Sequence, residues 1–376
     1  MIQLVTVTHF IKKIIQKSYN YIHHLRFRQY YKNKINNITK ALGKVHKYDV
    51  HQHVSLWTTL VKRVNPQWYH VYSSVSNIKD INYVPEDLYY VLIEPCLNRE
   101  ELGLAIRDKN LSDKYFSNLS FPITILRNMD GQYYDKDYRW LAKDEIDTFL
   151  KKALIDYTKI IAKPSLQSGG GREIHAFDLK RDSVNMTILE KIFDQDFIVQ
   201  EYIYQSEYFS QFNESSLNCI RINSYRTLKN NSIYTDEILL KVGVRGAIFD
   251  NTHAGGTYIN IGTDGTLGDF AVNGLGQKTF SPPGTDTLYK DFPKVPHIDE
   301  LIRVSEEIAR QHYYHRCLGV DICVDHNEQV RVIEINNRSI GIGSQMLNGS
   351  LFKEHTPEVI KYTKDKINSL NYPIRL

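Results

Sequence analysis

CLGVDICVDHNEQVRVIEIN, residues 317–336, is the stretch on which the fold turns. Its two halves, CLGVDICVD and QVRVIEIN, are rich in β-branched residues and flank Asp325-His326-Asn327-Glu328, so the spacing predicts a β-hairpin. Side chains two apart on a strand share a face, which points Glu334 and Asn336 the same way. A turn centred between His326 and Asn327 sets Val324 opposite Gln329 and Asp321 opposite Val332. Asp321 is then a diagonal neighbour of Glu334, ~7–8 Å away, a gap that one or two cations bridge. Two carboxylates and an amide oxygen form a hard, all-oxygen site that suits Mg²⁺ held against phosphates better than zinc. The alternative is the polar edge of a surface hairpin. The apolar neighbours Val320, Ile322, Ile333 and Ile335 favour the metal, because carboxylates among buried strands are costly unless paired or metal-bound.

Upstream, TKIIAKP, EIHAFDL and FIVQEYI read as short buried strands, and NCIRINSYRTL, EILLKVGVRGAIF and GTYINIG as alternating ones. IAKPSLQSGGGREI sets Lys163 on a strand just before Gly169, Gly170 and Gly171, whose backbone N–H groups are able to approach phosphate oxygens. It is not a Walker A loop, since no Gly-Lys-Ser/Thr follows, and it is not a dinucleotide fingerprint. Residues 298–314 predict a helix after Pro296, with Asp299 and Glu300 in its first turn and an apolar stripe of Ile298, Leu301, Ile302, Ile308 and Ala309. Thr356-Pro357-Glu358 predicts the start of a last helix with a threonine cap. Residues 85–160 look mixed and largely helical. The class is α+β, without internal repeats.

The 376 residues carry a net charge of +4, but unevenly: residues 1–48 hold ten Lys/Arg and no Asp or Glu. Phe10, Ile11, Ile14, Ile15, Tyr19 and Ile22 recur at helical spacing there. This reads as a helical layer on the body with a solvated basic face, or as an amphipathic helix on an anionic membrane surface or an anionic partner. No nucleic-acid motif accompanies the charge, so no nucleic-acid partner is expected. His23-His24 and His51-x-His53 lack carboxylate or cysteine partners at ligand spacing and read as surface residues. The four cysteines make no CxxC pair, which argues against a disulfide scaffold or a zinc site. No apolar run reaches 18 residues and the start lacks a signal-peptide pattern, so a cytoplasmic protein is expected, with the basic segment the one reason to place it at the inner face of the cell membrane.

Taken in order, these pieces resemble the ATP-grasp superfamily, most closely the sugar-transfer-associated ATP-grasp proteins found among bacterial surface-polysaccharide genes. SSLNCIRINSYRT, the DNTHAGG segment at 250–256 and LGVDICVD followed by VIEIN carry the resemblance, over roughly residues 80–365. The 13- and 2-residue spacings of Asp321, Glu334 and Asn336 are those familiar in D-alanine–D-alanine ligases. The resemblance implies an ATP-grasp fold: two α+β lobes clamping ATP, with an N-terminal helical extension at 1–79, a lid and hinge part at 80–203 and a metal-binding part at 204–376. It implies two Mg²⁺ ions on Asp321, Glu334 and Asn336. It makes Lys114 in LSDKYF the first phosphate lysine and Lys163 the second, ahead of a lid at Gly169–Gly171. Gln200, Glu201, Tyr202 and Ile203 become the adenine hinge and Glu207 the ribose acid. Arg221 would face the γ-phosphate, Arg245 a phosphate or the acceptor, and His253, with Asn251, Gly255 and Gly256, the acceptor.

The activity so implied is an ATP-dependent carboxylate–amine ligation through an acyl phosphate. The substrate would be a uronic acid or glycan precursor joined to an amino acid or amine. Two other outcomes share the same ligands: a kinase that phosphorylates a hydroxyl, and a non-catalytic ATP-binding component of a glycan assembly complex.

Overall fold

A computed structural model describes residues 18, 22, 25–103, 105–166, 173–247 and 255–367. Lid residues Gly169, Gly170 and Gly171, and also Asn251 and His253, lie outside the described residues, as does most of the chain before residue 25.

Three helices come first: α1 over 25–42, α2 (His51–Thr58) and α3 (Gln67–Ser76). Short α4 (Glu86–Leu88) and α5 (Glu94–Leu97) flank a π-helical turn, Tyr89–Ile93, and α6 (Ser112–Tyr115) follows. A six-stranded antiparallel sheet comprises β1 (Thr124–Met129), β2 (Gln132–Tyr134), β3 (Trp140–Leu141), β4 (Lys159–Pro164), β5 (His175–Asp178) and β6 (Phe197–Glu201), in the order β3-β2-β1-β6-β4-β5. α7 (Ile146–Ala153) and α8 (Met186–Phe193) cover one of its faces, burying Ile146, Leu150 and Leu189 against Ile160, Ala162, Phe197 and Val199. The strands β1–β3 arise within the stretch expected to be largely helical.

After α9 (Glu207–Ser210) comes a seven-stranded antiparallel sheet of β7 (Ile220–Arg226), β8 (Ile233–Val242), β9 (Thr257–Ile261), β10 (Leu267–Asn273), β11 (Lys278–Thr279), β12 (Cys317–Val324) and β13 (Val330–Asn336). Its order is β11-β10-β9-β8-β7-β12-β13. Ile220, Ile222, Leu240, Leu318, Val320 and Ile322 alternate onto one face and bury themselves under α10 (Ile298–Gln311). α10 stops at Gln311, short of residue 314, and just beyond it the Arg226 guanidinium donates to the carbonyls of His312 and Tyr313, 2.7 and 2.6 Å away.

The other face is divided. Around Leu239 of β8, Tyr258 of β9 and Val272 of β10 it is apolar, and these three pack under Tyr31, Ile35, Ile38, Trp68 and Tyr72 of the N-terminal helices and Met346 of α11 (Gln345–Asn348). Over β7, β12 and β13 it is polar. α12 (Thr356–Lys366) closes the molecule; Thr356 is its first residue and its hydroxyl donates back to the Lys353 carbonyl at 2.9 Å, so it does not cap the helix. His53 is a core residue rather than a surface one. It is 1% exposed, with Nδ1 2.9 Å from the Ile81 carbonyl and its ring against Tyr69. The four cysteines are buried and form no disulfide, and among the described residues no helix is long and apolar enough to cross a membrane.

A charged cluster between the two sheets

The hairpin of residues 317–336 forms, but its register differs from the one expected. Asp325 N–H donates to the Gln329 carbonyl at 2.9 Å, leaving a three-residue loop with Glu328 in the left-handed region at φ +58°. The Asp325 carboxylate ties the loop together by accepting from the N–H groups of Asn327 and Gln329. The third loop residue moves Val324 opposite Val330, and an irregularity between Asp321 and Ile322 moves the register once more. Asp321 therefore stands directly opposite Glu334, not diagonal to it, and Gly319 stands opposite Asn336.

Four neighbouring strands bring charge to this face. Arg221 on β7 pairs with Asp321 in register, and its guanidinium donates to both carboxylate oxygens at 2.6 and 2.7 Å. Lys241 on β8 is 3.7 Å from the same carboxylate. Burial by itself would raise the Asp321 pKa; Arg221 and then Lys241 outweigh it and hold the group down at about 2. From the first sheet, Lys163 on β4 is buried and pushed down to about 8, first by burial and then by the Lys109 charge, with Glu334 opposing the shift. Lys109 itself reaches Glu334 at 3.0 Å. Its position is fixed by a 3₁₀ turn that Asp108 caps, by its own N–H to the Ser165 carbonyl, and by Arg127, which binds the Asn110 carbonyl and the Asp113 carboxylate.

The remaining expected residues divide by place. Lys114 is exposed, its ammonium 5.0 Å from the Tyr138 ring, on a different part of the turn from Lys109. Gln200 is buried on β6 opposite Ile161, and its amide donates to the Pro122 carbonyl. Glu201 ties the two sheets: it accepts from Ile123 N–H and pairs with Arg331 of β13, which also binds Asp325. Tyr202 lies under the Lys159 ammonium and beside Tyr204, and Ile203 is buried. Glu207 is exposed at the start of α9. Arg245 is exposed beyond β8 and lies against Gly284. Sequence reasoning passed over Lys109 and Lys241. Lys241 had a readable signal: it is the one basic residue inside EILLKVGV, spaced to share a face with Leu239, the strand partner of Arg221.

Among the described residues no three His, Cys, Asp or Glu side chains gather as a metal site, so a cation here would rest on two carboxylates and an amide. The donors suit Mg²⁺. A carboxylate has about four lone-pair sites, so Asp321 retains acceptor capacity beside its bidentate arginine. Asn336 adds an amide on the same face as Glu334, and its Nδ2 is buried without a hydrogen-bond partner, so the amide is not committed elsewhere.

A sequence model described as sugar-transfer associated ATP-grasp matches residues 97–361. Among solved structures, the D-alanyl-alanine synthetase A of Vibrio cholerae shares 12% identity at a TM-score of 0.40, over 69% of this chain and 65% of that one. The N5-carboxyaminoimidazole synthetase of Staphylococcus aureus shares 13% at 0.36, over 67% and 53%. The ATP-grasp ligase PsnB, complexed with minimal precursor, Mg and ADP, shares 13% at 0.38, over 71% and 62%. The chain thus spans less than two thirds of each of these proteins. No curated protein sequence matches it.

Proposed function

The chain belongs to the sugar-transfer-associated ATP-grasp family, and we propose that it is an ATP-dependent carboxylate–amine ligase acting through an acyl phosphate. One observation carries the reading: four cations, Lys109, Lys163, Arg221 and Lys241, converge on two facing carboxylates, Asp321 and Glu334. The depressed pKa of buried Lys163 marks positive charge that is under-compensated until an anion arrives. A polyphosphate with its counter-cation answers both halves of that arrangement.

In this reading Lys109 and Lys163 hold the α- and β-phosphates, and Gln200 to Ile203 present backbone to the adenine. Asp321, Glu334 and Asn336 would hold Mg²⁺, which would supply charge neutralisation and polarisation of the phosphoryl oxygens. Arg221, fixed by Asp321 and by its bond to the Ile340 carbonyl at 2.8 Å, turns its charge toward the transferring group. A substrate carboxylate attacks the γ-phosphorus and the bond to ADP breaks. An amine then displaces phosphate from the acyl phosphate, losing its proton as the amide forms. The substrate is a uronic acid or a glycan precursor of a bacterial surface polysaccharide, and the basic face of α1 holds the enzyme at an anionic inner membrane leaflet.

Release of ADP and phosphate with a panel of uronic acids and amino acids tests this. The ligase reading expects release that needs both a carboxylate and an amine and that disappears in Glu334→Ala. A stable phosphorylated product without an amine requirement would make the enzyme a kinase instead.

A further inference from the structure

After β13 the chain continues through residues 337–343 as a strap without regular structure, gripped from two sides. On the sheet side, the Ile340 carbonyl accepts from Arg221 Nη1 at 2.8 Å and the Gly341 carbonyl from Asn223 Nδ2 at 3.3 Å. On the far side the grip comes from the helical segment around the π-helical turn. Glu94 Oε1 accepts from the Ser339 N–H at 2.7 Å, and the same carboxylate takes the Ile340 N–H. The Tyr90 hydroxyl accepts from the Ile342 N–H at 3.2 Å. Ile340 is therefore the junction: its N–H is held by Glu94 and its carbonyl holds Arg221, whose other nitrogens grip Asp321. Ser339 sits in the left-handed region at φ +53°, a conformation that costs a non-glycine residue on the order of 1 kcal/mol and persists where the surroundings impose it. The N–H of that strained residue is the one Glu94 binds.

Local structure delivers Glu94 to this place. Its N–H closes the π-helical turn by donating to the Tyr89 carbonyl five residues back, a wide turn of the kind frequent at functional sites. Tyr90, in the same turn, is itself fixed by stacking on Tyr31 of α1 at 5.1 Å. Glu94 is 5% exposed, and burial pushes its carboxyl up to about 7, with the Ser339 and Ile340 N–H groups opposing the shift. A carboxyl so deep is costly to keep among apolar neighbours unless its hydrogen bonds matter. Both Tyr90 and Glu94 precede the residues 97–361 that the family model matches, so this support is a feature of this chain's own upstream segment. We propose that Glu94 is a positioning residue for phosphoryl transfer: through the Ser339 and Ile340 N–H groups it fixes the strap whose Ile340 carbonyl aims the Arg221 guanidinium. Asp321 binds Arg221 along one edge only; the third bond, to Ile340, comes from outside that pair and stops the fork from swinging. A displacement of about 1 Å in a group that stabilises a transferring phosphoryl is enough to cost up to roughly 100-fold in rate. The aim of Arg221 at that group belongs to the ligase reading, on which this role rests; the link from Glu94 to Arg221 stands without it.

The test uses the full chain and two probes, Mg-ADP and the Mg complex of the β,γ-imido analogue of ATP, with the Kd of each measured by calorimetry. Glu94→Ala should lower the preference for triphosphate over diphosphate by roughly tenfold, with diphosphate bound within about twofold of wild type. Glu94→Gln, which keeps an acceptor oxygen, should restore most of the preference. In an Arg221→Ala background the Glu94 change should have no further effect on it, as expected when one residue acts through the other. A second readout needs no nucleotide: the Nε–H resonance of Arg221, assigned with Arg221→Lys, should exchange with solvent at least about fivefold faster in Glu94→Ala. If Glu94→Ala does not fold, Tyr90→Phe, which removes only the acceptor for Ile342, should lower the preference about two- to threefold. Where Arg221→Ala itself lowers the preference, an unchanged preference in the folded Glu94 or Tyr90 variant, or an equal loss with and without Arg221, would overturn the inference. Where Arg221→Ala leaves the preference unchanged, Arg221 does not face the γ-phosphate and that part of the ligase reading falls; faster exchange in Glu94→Ala then still supports the link, and unchanged exchange overturns it.

Discussion

Two lysines five positions apart in RDKNLSDKYF differ entirely in what they touch. Lys109 meets Glu334 at 3.0 Å and shifts the Lys163 pKa, whereas Lys114 is exposed on the Tyr138 ring. Charge-assisted hydrogen bonds contribute about 1.5–3 kcal/mol, so Lys109→Ala should raise the Kd for Mg-ATP by roughly 10- to 100-fold, and Lys114→Ala by no more than about twofold. Fluorescence or calorimetric titration with a non-hydrolysable ATP analogue reads both; the reverse ranking would move the phosphate site to Lys114. Sequence alone does not separate the two, because each is a lysine in a polar turn. What selects Lys109 is Arg127, which fixes the turn from a strand whose presence the local pattern did not announce. Asp321, Glu334 and Asn336 were legible, because alternation along a strand is local information. Their mutual register was not. It depends on a left-handed Glu328 and an irregularity after Asp321, each worth one residue of slip.

At the scale of elements, long apolar strands, α10 and the hairpin were readable from periodicity. The short strands β2 and β3, of three and two residues, have too few side chains to show an alternation. The helical layer held a different surprise in His53 of α2, whose Nε2 is buried without a partner. Burial, opposed only in part by the Ile81 carbonyl, pushes its pKa from the ordinary 6.5 down to about 4. The folded chain takes up that proton only near pH 4, the unfolded chain near 6.5. Between those values the unfolded state binds more protons, so stability falls as pH drops through the window and levels off below it. The loss attributable to this group is ~3 kcal/mol. His53→Gln, which keeps an N–H for the Ile81 carbonyl but does not titrate, should therefore lose less stability than wild type between pH 6.5 and 4. Urea melts of both proteins across that range measure it, and parallel curves would assign the acid sensitivity to other groups.

In the whole molecule, the N-terminal helices are a wall of the seven-stranded sheet rather than an appendage. Removing residues 25–78 would uncover Leu239, Tyr258, Val272, Met346 and Leu347 together. At about 1.5–3 kcal/mol for each apolar side chain, the loss is on the order of 10 kcal/mol, comparable to the stability of a whole domain. Truncation should thus give insoluble protein whether or not lipid matters, so membrane binding must be tested by charge. The cations of α1 serve two ends. Lys34 pairs with buried Glu86 at 2.5 Å and Arg28 donates to the Arg63 carbonyl, so both hold the layer to the body. Arg26, Lys32 and Lys40 project outward with Leu25 and Tyr30, which are 51% and 61% exposed. Reversing those three to glutamate leaves the packing face of Tyr31, Ile35 and Ile38 intact. Each basic residue near an anionic bilayer contributes about 1 kcal/mol, so the triple variant should bind phosphatidylglycerol vesicles at least on the order of 100-fold more weakly at low salt, with unchanged melting and Mg-ATP affinity. Vesicle co-sedimentation with purified protein decides it. Equal binding by the variant, or indifference of the wild type to anionic vesicles, would leave the basic face as a solvated surface.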